Sequence, residues 1–210
     1  MKVILKMEKW FIFSDSHDNL VKIRKMIDTI KTLDIDKIIF CGDLVSPFVA
    51  RLLAKEIPNN ITFIGVFGNN DGDKITIKRM FSSRSNFFIG DFPHIMKLNE
   101  KYVVLFHGWG SPEKTKNIVY ATAKDKKFLI TIYGHTHIPD LISIDKDYRL
   151  TPLLKNWDVL NKVGFRIDLN RERIILNPGE LGTWVTGKSS AVYMIIDDNL
   201  EAEINFIPIK

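Results

Sequence analysis

Apolar and polar positions along this chain fall into alternating blocks. Five short apolar runs read as strands: WFIF (10–13), KIIF (37–40), ITFIGVF (61–67), YVVLF (102–106) and FLITIY (128–133). They are nearly continuous rather than alternating, the pattern of strands covered on both faces. Helical stretches lie between several of them. Leu20, Ile23, Ile27 and Ile30 recur at spacings of three and four, which predicts an amphipathic helix after "DN". SPFVARLLAKEI predicts a second helix, with Ser46 as N-cap, Pro47 at the first helical position and Pro58 past its end. SPEKTKNIVYATAK repeats that start with Ser111 and Pro112. From about residue 141 helices thin out, and LISI, GFRIDL, RIIL, AVYMIID and AEINFIPI read as consecutive antiparallel strands. The stretch 151–162 is the least regular, with Leu153, Trp157 and Leu160 able to form one face of a short helix. No Pro/Gly/Ser linker, repeat or low-complexity tract separates the α/β half from the β-rich half. One domain over 1–210 is expected, with an irregular insertion near 151–162.

Each apolar run gives way at its carboxyl end to a polar cluster. FIF leads to SDSHDN with Asp15 and His17, and IIF leads to CGDL with Asp43. IGVF leads to GNND with Asn69, Asn70 and Asp71, VVLF to HGWG with His107, and LITIY to GHTH with His135 and His137. Loops beyond the carboxyl ends of strands in open α/β sheets converge on the ligand site. Carboxylates, imidazoles and an amide are thereby delivered to one rim. Four of the five histidines lie in these clusters, His94 being the exception. If His135 and His137 sit in an extended segment, their side chains share one face and approach one small region.

Bulk composition narrows the context. With 210 residues, 45% hydrophobic and 26% charged, the chain can bury a sizeable core and is ordinary for a globular protein. The net charge of +5 permits an anionic partner, but the basic residues are scattered in short runs such as KDKK (124–127), which favours a solvated surface. The single cysteine, Cys41, excludes an internal disulfide, reads as a small buried thiol and suits a reducing compartment. No apolar run approaches a membrane span, and charges interrupt every apolar stretch of MKVILKMEKW, a poor signal peptide. A cytoplasmic protein without a membrane partner is expected.

Taken together, Asp-x-His (15–17), Gly-Asp (42–43), Gly-Asn-x-Asp (68–71), His-Gly (107–108) and Gly-His-Thr-His (134–137) resemble the motifs of the calcineurin-like metallophosphoesterase superfamily. NPGE (177–180) is similar to the Asn-Pro-Gly-Ser segment of its small phosphodiesterase branch. The resemblance implies an α/β fold, a four-layer αββα sandwich of two mixed β-sheets flanked by helices. It implies one divalent metal at Asp15, His17, Asp43 and His137, and a second at Asp43, Asn69, His107 and His135, with Asp43 bridging. An oxygen and nitrogen donor set without thiolates suits Mn²⁺ first, with Ni²⁺, Fe or Zn²⁺ as alternatives. Phosphate esters would be hydrolysed by a metal-activated hydroxide, most readily as a phosphodiesterase. Asn70, Asp71 and His107 are the candidate catalytic residues. Asn19 is similar to a recurrent asparagine beside the site and equally suits a helix N-cap. Gly42, Gly68 and Gly134 are expected to let the backbone turn so that the donors converge.

Two positions depart from the pattern. Many members carry His where this chain has Asn70, which donates no proton at a useful pKa, and the His-Gly-His motif ends here in Trp109. Trp109 is expected to be a buried packing residue, with stacking of a base or aryl leaving group as the alternative. The expected partner is a small phosphate ester, with nucleic acid less favoured and an oligomer left open. A nuclease or phosphomonoesterase on the same core is the alternative enzyme. A non-enzymatic, retromer-like scaffold is the alternative outside catalysis.

Overall fold

The structure is a computed structural model that describes residues 7–154 and 164–210. The first part alternates strand and helix: β1 (Met7–Phe13), α1 (Leu20–Thr32), β2 (Lys37–Phe40), α2 (Pro47–Glu56), β3 (Thr62–Val66), α3 (Lys74–Phe81) and β4 (Phe87–Gly90). The middle holds β5 (His94–Leu98), β6 (Lys101–Leu105), α4 (Pro112–Ala123), β7 (Phe128–Ile132), β8 (Asp140–Ile144) and β9 (Leu150–Pro152). The remainder is β10 (Phe165–Asp168), β11 (Arg173–Asn177), β12 (Ser190–Asp197) and β13 (Glu201–Pro208). One sheet has the order β10-β13-β12-β1-β2-β3-β4 and the other β5-β6-β7-β11-β8-β9. Both are mixed. β1 runs parallel to β2 but antiparallel to β12, and β11 runs parallel to β7 but antiparallel to β8.

Side-chain alternation builds the layers. Along β1, Phe11 and Phe13 enter the core under α1–α3, while Trp10 and Ile12 enter the core between the sheets. Along β6, Val103 and Leu105 face the intersheet core, while Val104 packs with Val119 and Ala123 of α4. A strand buried on both faces needs apolar residues at every position, so these segments read as unbroken apolar runs. The result is the αββα sandwich. Phe63 is central to the helix-side core: its ring stacks on Phe81 and Phe87 at 4.8 and 5.1 Å between centroids and meets Phe13 edge-on at 6.3 Å.

Several local expectations are corrected. In α1, Met26 joins Ile23, Ile27 and Ile30 on the buried face, while Leu20, in the first turn, lies exposed. Ser46 precedes α2 but does not cap it with its side chain; its hydroxyl donates to Asp18 at 2.8 Å. The late strands are not a simple antiparallel succession. β11 inserts between β7 and β8, whereas β10, β12 and β13 extend the sheet of β1, because both sheets need further apolar strands to cover the intersheet core. In the irregular stretch, residues 151 and 152 belong to β9 and Leu153 packs against the intersheet core; Trp157 and Leu160 lie outside the described residues.

Replacing Phe63 by Ala removes the ring that joins four aromatic neighbours, Phe13, Phe40, Phe81 and Phe87. Loss of about 3–5 kcal/mol of stability is expected, read from the midpoint shift in urea unfolding at constant m-value.

Candidate metal centre

The rim carrying the site lies at the carboxyl ends of β1, β2, β3, β6, β7 and β11, where the two sheets meet. Backbone bonds tie the loops together. Asp15 N–H donates to Gly42 C=O at 2.9 Å, Ser16 N–H to Asp43 C=O at 3.0 Å, and Gly134 N–H to His107 C=O at 3.0 Å. Gly68 and Gly134 are needed for close approach: a Cβ on Gly68 would be driven into the Asp43 carboxylate, and one on Gly134 into Ser14 and the Cys41 carbonyl. A Cβ on Gly42 would likewise be driven into the His107 ring, and its φ of +97° is in addition a turn conformation that side chains disfavour.

All seven predicted donors come together. His17 Nε2 lies 3.3 Å from His137 Nε2, and His137 Nε2 lies 3.5 Å from Asp15 Oδ1. On the other side, Asn69 Oδ1 is 2.9 Å from both His107 Nε2 and His135 Nδ1, which are 3.3 Å apart. Asp43 Oδ2 stands between the groups, 3.6 Å from His17 Nε2 and 3.5 Å from His107 Nε2. His135 and His137 do not share one face of an extended segment. Both have left-handed backbone, with φ of 66° and 62°, so one ring joins Asn69 and His107 while the other joins His17 and Asp15.

Left-handed backbone recurs at Asp15, His17 and Asp43, with φ of 52°, 43° and 63°. Each such residue costs on the order of 1–3 kcal/mol, sustained only where surrounding structure over-determines it. Asp71 supplies part of that. Its buried carboxylate accepts from the backbone N–H of Gly68 at 2.6 Å, Val45 at 2.7 Å and Asp43 at 3.2 Å. Asp71, expected as a catalytic residue, holds the Asp43 loop, including Val45 at φ 85°. Asn70 lies at the rim, and its amide donates to Asp43 Oδ2 at 2.7 Å.

The imidazoles are oriented from behind. His107 Nδ1 pairs with the Cys41 carbonyl at 2.8 Å, and His135 Nε2 pairs with the Gly110 carbonyl at 2.7 Å. His137 Nδ1 pairs with Glu180 Oε2 at 2.8 Å. A carbonyl or carboxylate behind each of these three rings takes an N–H, which leaves the inner nitrogen with its lone pair toward the site. Asn19 caps α1, accepting from Lys22 N–H at 3.2 Å, and also donates to the Gly182 carbonyl at 2.7 Å.

Glu180 is the residue that sequence reasoning missed. NPGE was legible only as a likeness to Asn-Pro-Gly-Ser, and nothing in it pairs a glutamate with a histidine 43 residues away. The side chain is wholly buried, yet it accepts from His137, Trp184 N–H, Val185 N–H and both the N–H and hydroxyl of Thr186. Burial opposes its charge, but these donors, His137 first, hold its pKa at about 2. Burial lowers the His137 pKa, but the Glu180 and Asp15 carboxylates outweigh it and raise the pKa above the ordinary imidazole value. Burial likewise pushes Asp15 up, whereas Asp43, buried too, is brought well below the carboxylate range by His107 and Asn70.

This arrangement fits divalent cations. Asp15, His17 and His137 offer donor atoms within 4.8 Å of one another, as do Asp15, Asp43 and His107. Inner imidazole nitrogens 3.3 Å apart beside buried carboxylates are costly to hold together without positive charge among them. Cys41 is wholly buried, with its thiol pKa pushed up, and takes part only through its backbone carbonyl.

The calcineurin-like phosphoesterase superfamily domain matches residues 9–199. The chain belongs to that superfamily. It is a metal-dependent phosphoric ester hydrolase. A phosphodiesterase of Methanocaldococcus jannaschii is 29% identical over 178 residues, covering 84% of this chain and 86% of that protein. The solved structure of an archaeal phosphodiesterase matches with a TM-score of 0.67 at 25% identity, covering 95% of this chain and 99% of its own. A metallophosphoesterase from Sphaerobacter thermophilus has the same fold, with a TM-score of 0.58 at 21% identity over 95% of this chain and 88% of its own. Among the described residues no helix is long and apolar enough to cross a membrane.

Trp109 is not a packing residue. It is 71% exposed at the edge of the site, because its loop lies outside the intersheet core. Trp184, on the His17 side, is 72% exposed and donates its indole N–H to the His17 carbonyl at 3.2 Å.

Glu180→Gln keeps an acceptor for His137 but turns an NH₂ toward backbone N–H groups that require an oxygen. Metal affinity is expected to fall by about 10- to 100-fold, measured by calorimetric titration with Mn²⁺, with the fold retained by circular dichroism.

Proposed function

We propose that the chain is a phosphodiesterase acting on small phosphate esters with two divalent cations that share Asp43. One cation would be held by Asp15, His17, Asp43 and His137, and the other by Asp43, Asn69, His107 and His135. The position of Asp43 Oδ2, at nearly equal distances from His17 Nε2 and His107 Nε2, carries this reading. The similar phosphodiesterases support the diester preference. Mn²⁺ is the first metal to test, then Ni²⁺, Fe and Zn²⁺, since the donors are oxygen and nitrogen only. When bound, two such cations supply Lewis acidity and an acidified water close to the phosphorus.

The chain's own residues divide the remaining work. Glu180, Cys41 and Gly110 fix the rings of His137, His107 and His135, and Asp71 fixes the Asp43 loop. Asn70 neither donates a proton nor has its amide uncommitted, because it bonds Asp43. General acid assistance is worth roughly 10²–10⁴ in rate. Without it at position 70, substrates whose leaving group needs little protonation are favoured. A scaffold without chemistry has no use for seven converging donors. β10, β12 and β13 complete the sheet begun by β1–β4, and on that ground we take 1–210 as one domain. A cytoplasmic location accords with the single buried thiol.

Metal analysis of protein loaded with Mn²⁺ is expected to give about two ions per chain, falling toward one or none in Asp43→Asn. The kcat/KM of that variant on an aryl diester should drop by at least roughly 100-fold, the loss of a contribution of several kcal/mol. Two ions retained at full rate would remove Asp43 from the centre.

The Asn70 reading has its own test. Rates for a series of diesters are plotted against leaving-group pKa for the parent and for Asn70→His. The parent should show the steeper dependence, and equal slopes would count against the missing-acid argument.

A further inference from the structure

Beside the His135 side of the centre lies an open cavity of about 390 Å³ lined by Trp109, Gly110, Lys114, Asn117 and Ile118. We infer that this cavity is the subsite for a flat aromatic ring carried on an alcohol arm of the phosphate ester, with the indole of Trp109 as its stacking surface. The inference deepens the phosphodiesterase reading and rests on it for the identity of the anion.

Continuity with the metal centre comes first. Gly110, which lines the cavity, accepts from His135 behind its ring, so the cavity and the metal donors lie on opposite sides of that one imidazole and a short arm on the ester must span it. Trp109 is held for display. Its N–H donates to Thr115 Oγ1 at 2.9 Å and its carbonyl accepts from the same hydroxyl at 3.0 Å, while Thr115 is buried at the start of α4. The backbone of the loop is therefore fixed while the indole stays exposed, so binding has only the indole's own torsions to order. Lys114, Asn117 and Ile118 stand at i, i+3 and i+4 and line the opposite wall from one face of α4. Exposed Ile118 supplies an apolar surface, Asn117 an amide for a heteroatom edge, and Lys114 a cation suited to an anionic ester. The volume lies toward the small end of ligand sites and suits a ring with a short attachment.

Stacking on an aromatic side chain alters affinity by about fivefold to a hundredfold. The test measures calorimetric binding of four anions to Mn²⁺-loaded protein. Phenylphosphonate is compared with methylphosphonate, and adenosine 5′-monophosphate with ribose 5-phosphate, so that each pair differs by its ring. The ring-bearing member should bind at least about fivefold tighter in at least one pair. Trp109→Ala should bring that ratio close to one, and Trp109→Phe should keep most of it. A response in the phenyl pair marks a subsite for any aryl ring, and a response confined to the adenosine pair marks a nucleobase subsite. Ratios near one in the parent protein, ratios unmoved by Trp109→Ala, or an equal loss for ringed and ringless anions would each overturn the subsite. Turnover of bis(p-nitrophenyl) phosphate by the same preparation tests the diesterase reading separately, because the binding ratios do not depend on it.

Discussion

The oxygen Asp43 Oδ2 and the imidazole nitrogens on either side of it impose the constraint that the rest of the rim answers. Buried carboxylates and inward lone pairs, with inner nitrogens 3.3 Å apart in each group, are costly to hold together without positive charge among them. Cations satisfy the donors from inside. From outside, the chain keeps His107, His135 and His137 from turning away with acceptors placed behind the rings: a carbonyl at Cys41, a carbonyl at Gly110 and a carboxylate at Glu180.

Holding donors this close also dictates backbone. Five of the seven have left-handed φ, a conformation that histidine and aspartate tolerate but do not prefer. Such a cluster is sustained by what lies beneath it. Three layers of apolar packing fix the ends of β1, β2, β6 and β7, and Asp71 gathers three backbone N–H groups into one carboxylate. The strain at the rim and the unbroken apolar strands below it are two parts of one solution.

How much of this was legible depended on whether the signal was local. The strands covered on both faces announced themselves as continuous apolar runs, and their polar ends marked the seven donors by residue type and order. Sheet membership was not legible, because β11 pairs with β7 across some forty intervening residues and no local pattern records a partner. β4 and β5 escaped notice because they are short and alternate between buried and exposed positions, as half-covered strands do. Glu180 escaped for a similar reason: its partner is brought to it only by the β11 turn. The expected burial of Trp109 rested on residue type, whereas its exposure is set by a loop whose backbone, not its ring, is what Thr115 holds.

Asp71 and Glu180 are the two carboxylates that would ordinarily be considered for acid or base work near such a centre. Neither is available for it. Asp71 is filled by backbone donors, and Glu180 is filled by five, the histidine among them. Asn70 is bound to Asp43. With Asp71, Glu180 and Asn70 committed to holding geometry, the chemistry falls to the cations and to the acidity of the leaving alcohol. Discrimination between substrates then has to come from surface outside the donor set. The loop at Gly110 joins these two requirements, since one carbonyl fixes a metal-facing histidine while the residue before it presents an indole to whatever the phosphate carries.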